Sequence, residues 1–217
     1  MLPIHKNPED PLRKHRSTPN TNYDNCPKDL LKNSLLQEQN FLCAYCMSRI
    51  TEHTMSIEHW KCRSQHPNLE LSYQNLLAVC DGNEGNPPCK QHCDTRKGDS
   101  DLMYNPANKD HHERLKIRYL RNTGKIESAD KAFCIELGDT EKGSEGILNL
   151  NHQQIMNNRR AVIASVERAM NKLPHDAKKA QIRALLNAWN SVDAQGMLPE
   201  YAGVAIYFLK KRLERAQ

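Results

Sequence analysis

Apolar residues recur along this chain at two periods, and the changes of period mark out its elements. Residues 1–26 are polar, rich in Pro, Asn and Arg, and hold no sustained period, which predicts an extended N-terminal arm. Leu30, Leu31, Leu35 and Leu36 then recur at helical spacing. They predict an amphipathic helix over 27–39, with Pro27 as its first helical residue and Asn25 or Asp24 as its cap. Ser56-Ile57-Glu58-His59-Trp60 alternates as a strand does, placing Glu58 and Trp60 on one side and His59 on the other. Leu76-Leu77-Ala78-Val79-Cys80 reads as a second strand, and the residues after His92 as a short helix capped by Asp94 or Thr95.

Further along, Ile117-Arg118-Tyr119-Leu120 and Gly124-Lys125-Ile126 flank Asn122-Thr123 and predict a short hairpin. Three helices are expected after it: about 152 to 172, ending before Pro174; about 177 to 189, ending near Gly196; and one starting at Pro199. The third carries Tyr201, Val204, Ala205, Phe208 and Leu209 on one face. The expected organisation is an arm over 1–26, a module dense in Cys and His over 27–104, a mixed hairpin and linker region over 105–150, and a C-terminal helical region over 151–217. No internal repeat is present.

Composition narrows the class. The chain has 217 residues, of which 38% are hydrophobic, enough for a core but not an ample one. The longest apolar runs, such as Val204 to Leu209, are far short of the ~18 residues that would cross a bilayer. The N-terminus has no apolar h-region, so no secretory signal and a cytoplasmic location are expected. A formal charge of +5 permits contact with a polyanion without establishing it. Eight cysteines in such a chain read as metal ligands or reactive thiols before disulfides.

The chemistry concentrates in one stretch. Cys43-Ala44-Tyr45-Cys46 is a knuckle whose two sulfurs can face one ion, although redox pairs share the spacing. A tetrahedral zinc site needs two more ligands. Cys80 and Cys93 are the best candidates, with Cys89 and His92 as competitors, while Cys26, Cys62 and Cys134 read as ordinary thiols. Asn75 stands sixteen residues after His59 and opens the second strand.

Taken together, Cys-x-x-Cys, an acidic-His pair, an Asn before an apolar strand ending in Cys, and Cys93-Asp94-Thr95-Arg96-Lys97 resemble the zinc-stapled ββα-metal domain of HNH endonucleases. Asp94 lies nineteen residues beyond Asn75, which is the family's separation plus a ten-residue insertion between Cys80 and Cys93. Leu42-Cys43-Ala44-Tyr45-Cys46, Ile57-Glu58-His59, Asn75 to Cys80 and His92 to Asp99 are similar to one subfamily, the HNH component of the Septu anti-phage system, which also occurs beside certain retrons. The resemblance is strong over about 28–100 and weaker elsewhere. It implies an α+β fold, a ββα-metal HNH nuclease core with structural zinc embedded in a mostly α-helical chain.

The resemblance also implies roles. Zinc would be held by Cys43, Cys46, Cys80 and Cys93 and would be structural, since two short strands and a helix bury too little apolar area to stand alone. His59 would be the general base, its imidazole neutral at cellular pH. Glu58 and Asp94 fall on the positions that hold a catalytic Mg²⁺ or Mn²⁺, both departing from the commoner residues there, Glu for Asp and Asp for Asn or His. Asn75 would orient the base, and Arg96 and Lys97 would meet nucleic-acid phosphates, a solvated helix face being the plain alternative. The other histidines, His112 and His175 among them, lack comparable context.

Hydrolysis would leave a 5′-phosphate and a 3′-hydroxyl. The implied partners are a nucleic-acid substrate, an ABC- or SMC-like ATPase subunit, and a retron reverse transcriptase with its RNA–DNA product, with no membrane. Two other readings stay open: a non-catalytic zinc module that binds nucleic acid or protein, and a redox switch built on Cys43 and Cys46.

Overall fold

The computed structural model describes residues 1–138, 146–174 and 179–215, without the side chains of His112 and Glu113. His175 and residues 177–178, expected to open the second C-terminal helix, lie outside the described residues. In chain order the elements are α1 (Arg13–Arg16), α2 (Lys28–Glu38), β1 (Met55–His59), β2 (Leu76–Cys80), α3 (Cys93–Lys97) and α4 (Lys109–Arg114). They continue with β3 (Ile117–Tyr119), β4 (Ile126–Ser128), α5 (Lys131–Leu137), α6 (Gln153–Asn171), α7 (Lys179–Trp189) and α8 (Ala202–Arg215). The chain is thus mixed α and β, with two small antiparallel sheets among the described residues, β1–β2 and β3–β4.

Helix α2 buries Leu31, Leu35 and Leu36 and leaves Leu30 in solvent, as its helical period requires. Its start differs from the expectation. Pro27 occupies the cap position with no side-chain bond. Asn25 is engaged instead with Asn22, each side chain accepting the other's backbone N–H at 3.0 and 3.1 Å. At the other end the buried carboxamide of Gln39 mimics a strand. Its Oε1 accepts from Ala78 N at 2.8 Å and its Nε2 donates to Ala78 O at 2.7 Å, which docks α2 on β2.

In the first sheet Met55 pairs with Cys80, Glu58 with Leu77 and His59 with Leu76. All five β2 residues are buried, which fits an unbroken apolar run covered on both faces. Helix α3 also starts differently from the expectation. His92 stands at its cap position without a side-chain bond, and Asp94 and Thr95 lie within the helix. Thr95 Oγ1 is spent donating to Asp81 O at 2.7 Å. Gly82, at φ +58°, makes the turn that returns the chain, since a Cβ there would lie 2.2 Å from His92 O.

The N-terminal arm does not project into solvent. Met1, Ile4 and Leu12 are buried, Ile4 N donates to Pro106 O at 3.1 Å, and Lys6 Nζ donates to Leu76 O at 2.5 Å. At the far end of the chain, α7 and α6 pack on α8 around Val166, Ile182, Ala205 and Leu209. The opening of α8 docks on the Cys43–Cys46 knuckle. Tyr201 N donates to Met47 O at 2.9 Å, and a Cβ on Gly203 would meet Met47 Sδ at 2.7 Å. One continuous apolar core therefore includes Leu31, Cys46, Val79, Phe133 and Val204. Among the described residues no helix is long and apolar enough to cross a membrane.

Candidate functional site

Four buried thiols converge where the knuckle, the end of β2 and the start of α3 meet. One ligand atom from each of Cys43, Cys46, Cys80 and Cys93 lies within 4.8 Å of the others. Cys43 Sγ is 3.9 Å from Cys93 Sγ, and Cys46 Sγ is 3.8 Å from Cys80 Sγ. Zn–S bonds of ~2.3 Å in a tetrahedron require sulfurs about 3.8 Å apart, whereas a disulfide needs ~2.05 Å, so the spacing suits a shared ion and no S–S bond. Ser48 N approaches Cys46 Sγ at 3.5 Å and Met47 takes φ +68°, the tight turn that aims both knuckle sulfurs the same way.

The electrostatics point the same way. Hydrogen bonds from Cys43, Cys80 and Cys93 draw the Cys46 thiol well below its ordinary pKa. Burial, and then Cys43, Cys46 and Cys80, push Cys93 well above. One thiolate is thus favoured and further ones resisted, a conflict that a dication removes. Of the competitors, Cys89 is exposed and outside the cluster. His92 flanks it, with Nδ1 3.3 Å from Cys93 Sγ and 3.9 Å from Cys80 Sγ. Cys26, Cys62 and Cys134 stand apart from the four.

Strand β1 carries Glu58 and His59 to opposite faces, both buried. Glu58 Oε1 accepts from Tyr45 Oη at 3.0 Å and pairs with Lys97 Nζ at 2.9 Å. Burial and the adjacent Asp94 carboxyl, within hydrogen-bonding reach, push the Glu58 pKa well up against the pull of Lys97. Lys97 therefore departs from the expectation of a phosphate contact on an outward helix face. It is 2% exposed, and its ammonium also donates to His59 O at 3.3 Å and Gly98 O at 3.2 Å. A five-residue helix packed on β2 turns this side chain inward, where three acceptors satisfy it. Arg96 lies partly buried, its Nε donating to Gly146 O at 3.4 Å.

His59 Nε2 lies 3.0 Å from the Glu70 carbonyl, so it carries the proton and Nδ1 is left as the acceptor. Burial lowers its pKa, opposed by the Glu70 bond, with smaller effects from Arg63, Lys28 and Asp94. Asn75, also buried, closes the loop between the strands. Its Oδ1 accepts from Lys61 N at 2.8 Å, and its Nδ2 donates to Lys61 O at 3.0 Å and Leu69 O at 3.3 Å. It thereby fixes the segment whose next carbonyl, on Glu70, holds the imidazole.

Three neighbours of these groups leave no signal in the sequence. Tyr45, inside the knuckle, carries no motif signal for its bond to Glu58. Tyr23, from the arm, meets the His59 ring edge-on with centroids 4.4 Å apart. Arg63, shortly after β1, lies with its guanidinium carbon 4.7 Å from the Tyr23 ring. Both of the latter fall in stretches with no periodicity, where only the fold makes them neighbours of His59.

No family model matches the chain. Among curated proteins, the Septu protein PtuB of Bacillus thuringiensis is 33% identical over 81 residues, 36% of this chain. The matched stretch covers 28% of that relative's length.

Proposed function

We propose that this chain is a metal-dependent nuclease of the ββα-metal (HNH) type and a component of an anti-phage defence system related to Septu. What supports the reading is an acceptor-bearing imidazole on β1, with the Glu58 carboxyl on the other face of that strand beside Asp94 of α3, and a four-thiol cluster where the same sheet and helix meet. The likeness to PtuB supports the defence assignment.

In this reading His59 is the general base. Nδ1 takes the proton of the attacking water while Nε2–H stays bonded to Glu70, and the lowered pKa keeps the ring neutral near pH 7. Asn75 is a positioning residue that fixes the loop presenting that carbonyl. Glu58 and Asp94 would hold Mg²⁺ or Mn²⁺, whose charge, when bound, stabilises the phosphate and leaving oxygen. Burial, and then the neighbouring Asp94, drive up the Glu58 pKa, and a hard dication would relieve the second of these. Tyr45 and Lys97 hold Glu58 from behind. Zinc on Cys43, Cys46, Cys80 and Cys93 would join knuckle, sheet and helix. An ABC- or SMC-like ATPase, a retron reverse transcriptase with its RNA–DNA product, and a cytoplasmic setting belong to the same proposal, and copurification tests the partners.

A second reading, a zinc module that binds without cutting, is favoured by the cover of Tyr23 on His59 and by the pairing of Glu58 with Lys97. The Asp94→Asn variant of the full chain separates the two. The nuclease reading expects Mn²⁺ binding by electron paramagnetic resonance and nucleic-acid cleavage to be lost together at unchanged zinc content. Wild-type chain that binds nucleic acid without cleaving it under Mg²⁺ or Mn²⁺ would establish the second reading.

A further inference from the structure

The segment over His59 is built as a cover with weak fastenings. Leu12 and Cys26 are buried and pin its two ends. Between them, residues 16–25 are exposed apart from the half-buried Thr21 and Tyr23. Tyr23 is the part that touches the site, with its ring on the His59 imidazole. Two cations border that ring: Lys28 Nζ lies 2.8 Å from its centroid, and Arg63 lies beyond at 4.7 Å. Arg63 Nη1 also pairs with Asp24 Oδ1 at 3.0 Å, and these side chains are 44% and 80% exposed. Asp24 is the residue next to Tyr23, so this ion pair is the side-chain tie nearest the ring, beside the bonds that Lys28 Nζ makes to Tyr23 O and Arg16 Nη1 to Leu71 O.

A guanidinium four residues past a general base, facing solvent and holding an exposed carboxylate, is placed as a phosphate receptor would be. We propose that Arg63 binds a phosphate of the nucleic-acid substrate and that Asp24 occupies its place in the substrate-free chain. Substrate binding and the lifting of Tyr23 from His59 are then one event. The inference rests on the nuclease reading for what His59 does, but not for what Arg63 binds. The carboxylate offers one charge in an exposed pair, which fastens weakly. A backbone phosphate brings the same charge with bidentate geometry and counterion release, and displaces it.

The test uses the full zinc-loaded chain, fluorescein-labelled single-stranded and duplex oligonucleotides, and magnesium-free buffer, with anisotropy and hydrogen exchange as readouts. Arg63→Ala is expected to weaken binding about tenfold and to reduce the salt slope by about one. Arg63→Lys should keep the slope while losing part of the affinity. Asp24→Asn is expected to tighten binding about two- to fivefold. Exchange over residues 17–25 should speed up in that variant, and in wild type when oligonucleotide is added. Wild-type affinity in Arg63→Ala, slower exchange over 17–25 on binding, or no binding to any oligonucleotide would each overturn the proposal. Since none of these readouts needs cleavage, a chain that behaves as expected but never cuts would refute only the nuclease reading. A chain that cuts normally with Arg63→Ala would refute only this one.

Discussion

Replacing Lys97 by alanine should cost stability, not nucleic-acid affinity. Its ammonium is 1% exposed at the side chain, pairs at 2.9 Å with Glu58, itself 5% exposed, and donates to two carbonyls. Removing one partner of so buried a pair leaves a carboxyl without its counter-charge and costs about 3–5 kcal/mol. The two orphaned carbonyls add to the cost, since water reaches them poorly. At about 2–4 °C per kcal/mol for a chain of this size, the melting temperature should fall by about 6–20 °C. Differential scanning calorimetry of zinc-loaded wild type and Lys97→Ala at pH 7.5 reads this directly, with oligonucleotide anisotropy alongside. A melting temperature within about 2 °C of wild type, together with weakened oligonucleotide binding, would refute the inward reading and restore Lys97 to the surface.

Cys43→Ser or Cys46→Ser should abolish zinc binding and with it cooperative unfolding, because a structural site contributes about 10–16 kcal/mol against a total stability of about 5–15; zinc analysis and thermal melts check it. Asn75→Ala should cost about 2–3 kcal/mol for three buried hydrogen bonds, and denaturant midpoints measure it. Glu136 is held up to about 7 by burial, partly offset by the Met103 N–H. A carboxyl whose folded pKa exceeds its unfolded one contributes stability that is full below about 4.5 and is lost as pH rises through 7. Glu136→Gln should therefore gain on wild type between pH 5 and 8 by about 1–2 kcal/mol after allowance for screening, and a pH-independent difference in urea unfolding would contradict this. Arg159 is fully buried, donates to Leu150 O at 2.8 Å, and is drawn on electrostatically by Cys46 and Cys93. It lies where it offsets the net negative charge of a four-thiolate zinc site, so Arg159→Met should release zinc to a chromogenic chelator several-fold faster.

The strands were legible because alternation and an unbroken apolar run each leave a short-range signature, and both appear within a residue of where the pattern set them. The thiol cluster was legible in all four members, Cys43 and Cys46 from their spacing and Cys80 and Cys93 as the best candidates downstream. What excludes the competitors Cys89 and His92 is visible only in the fold, because it depends on the turn at Gly82 that returns the chain. The caps misled because hydroxyls and carboxamides have several partners within reach: Thr95 Oγ1 donates to Asp81 O, and Asn25 Oδ1 accepts from Asn22 N. The inward turn of Lys97 leaves no sequence signal, because five residues are too few for a helical stripe to show which side is buried. Tyr23 and His59 meet across a sequence gap that no local period spans, so the cover over the site became visible only in the fold.

In the proposed reading His59 acts on water and does not hold zinc. Zinc stoichiometry and magnesium-dependent cleavage, measured on the same preparations of wild type and His59→Ala, test it most directly. One zinc per chain is expected in both proteins, with cleavage in wild type alone. Zinc missing from the variant, or equal cleavage by both, would contradict that reading.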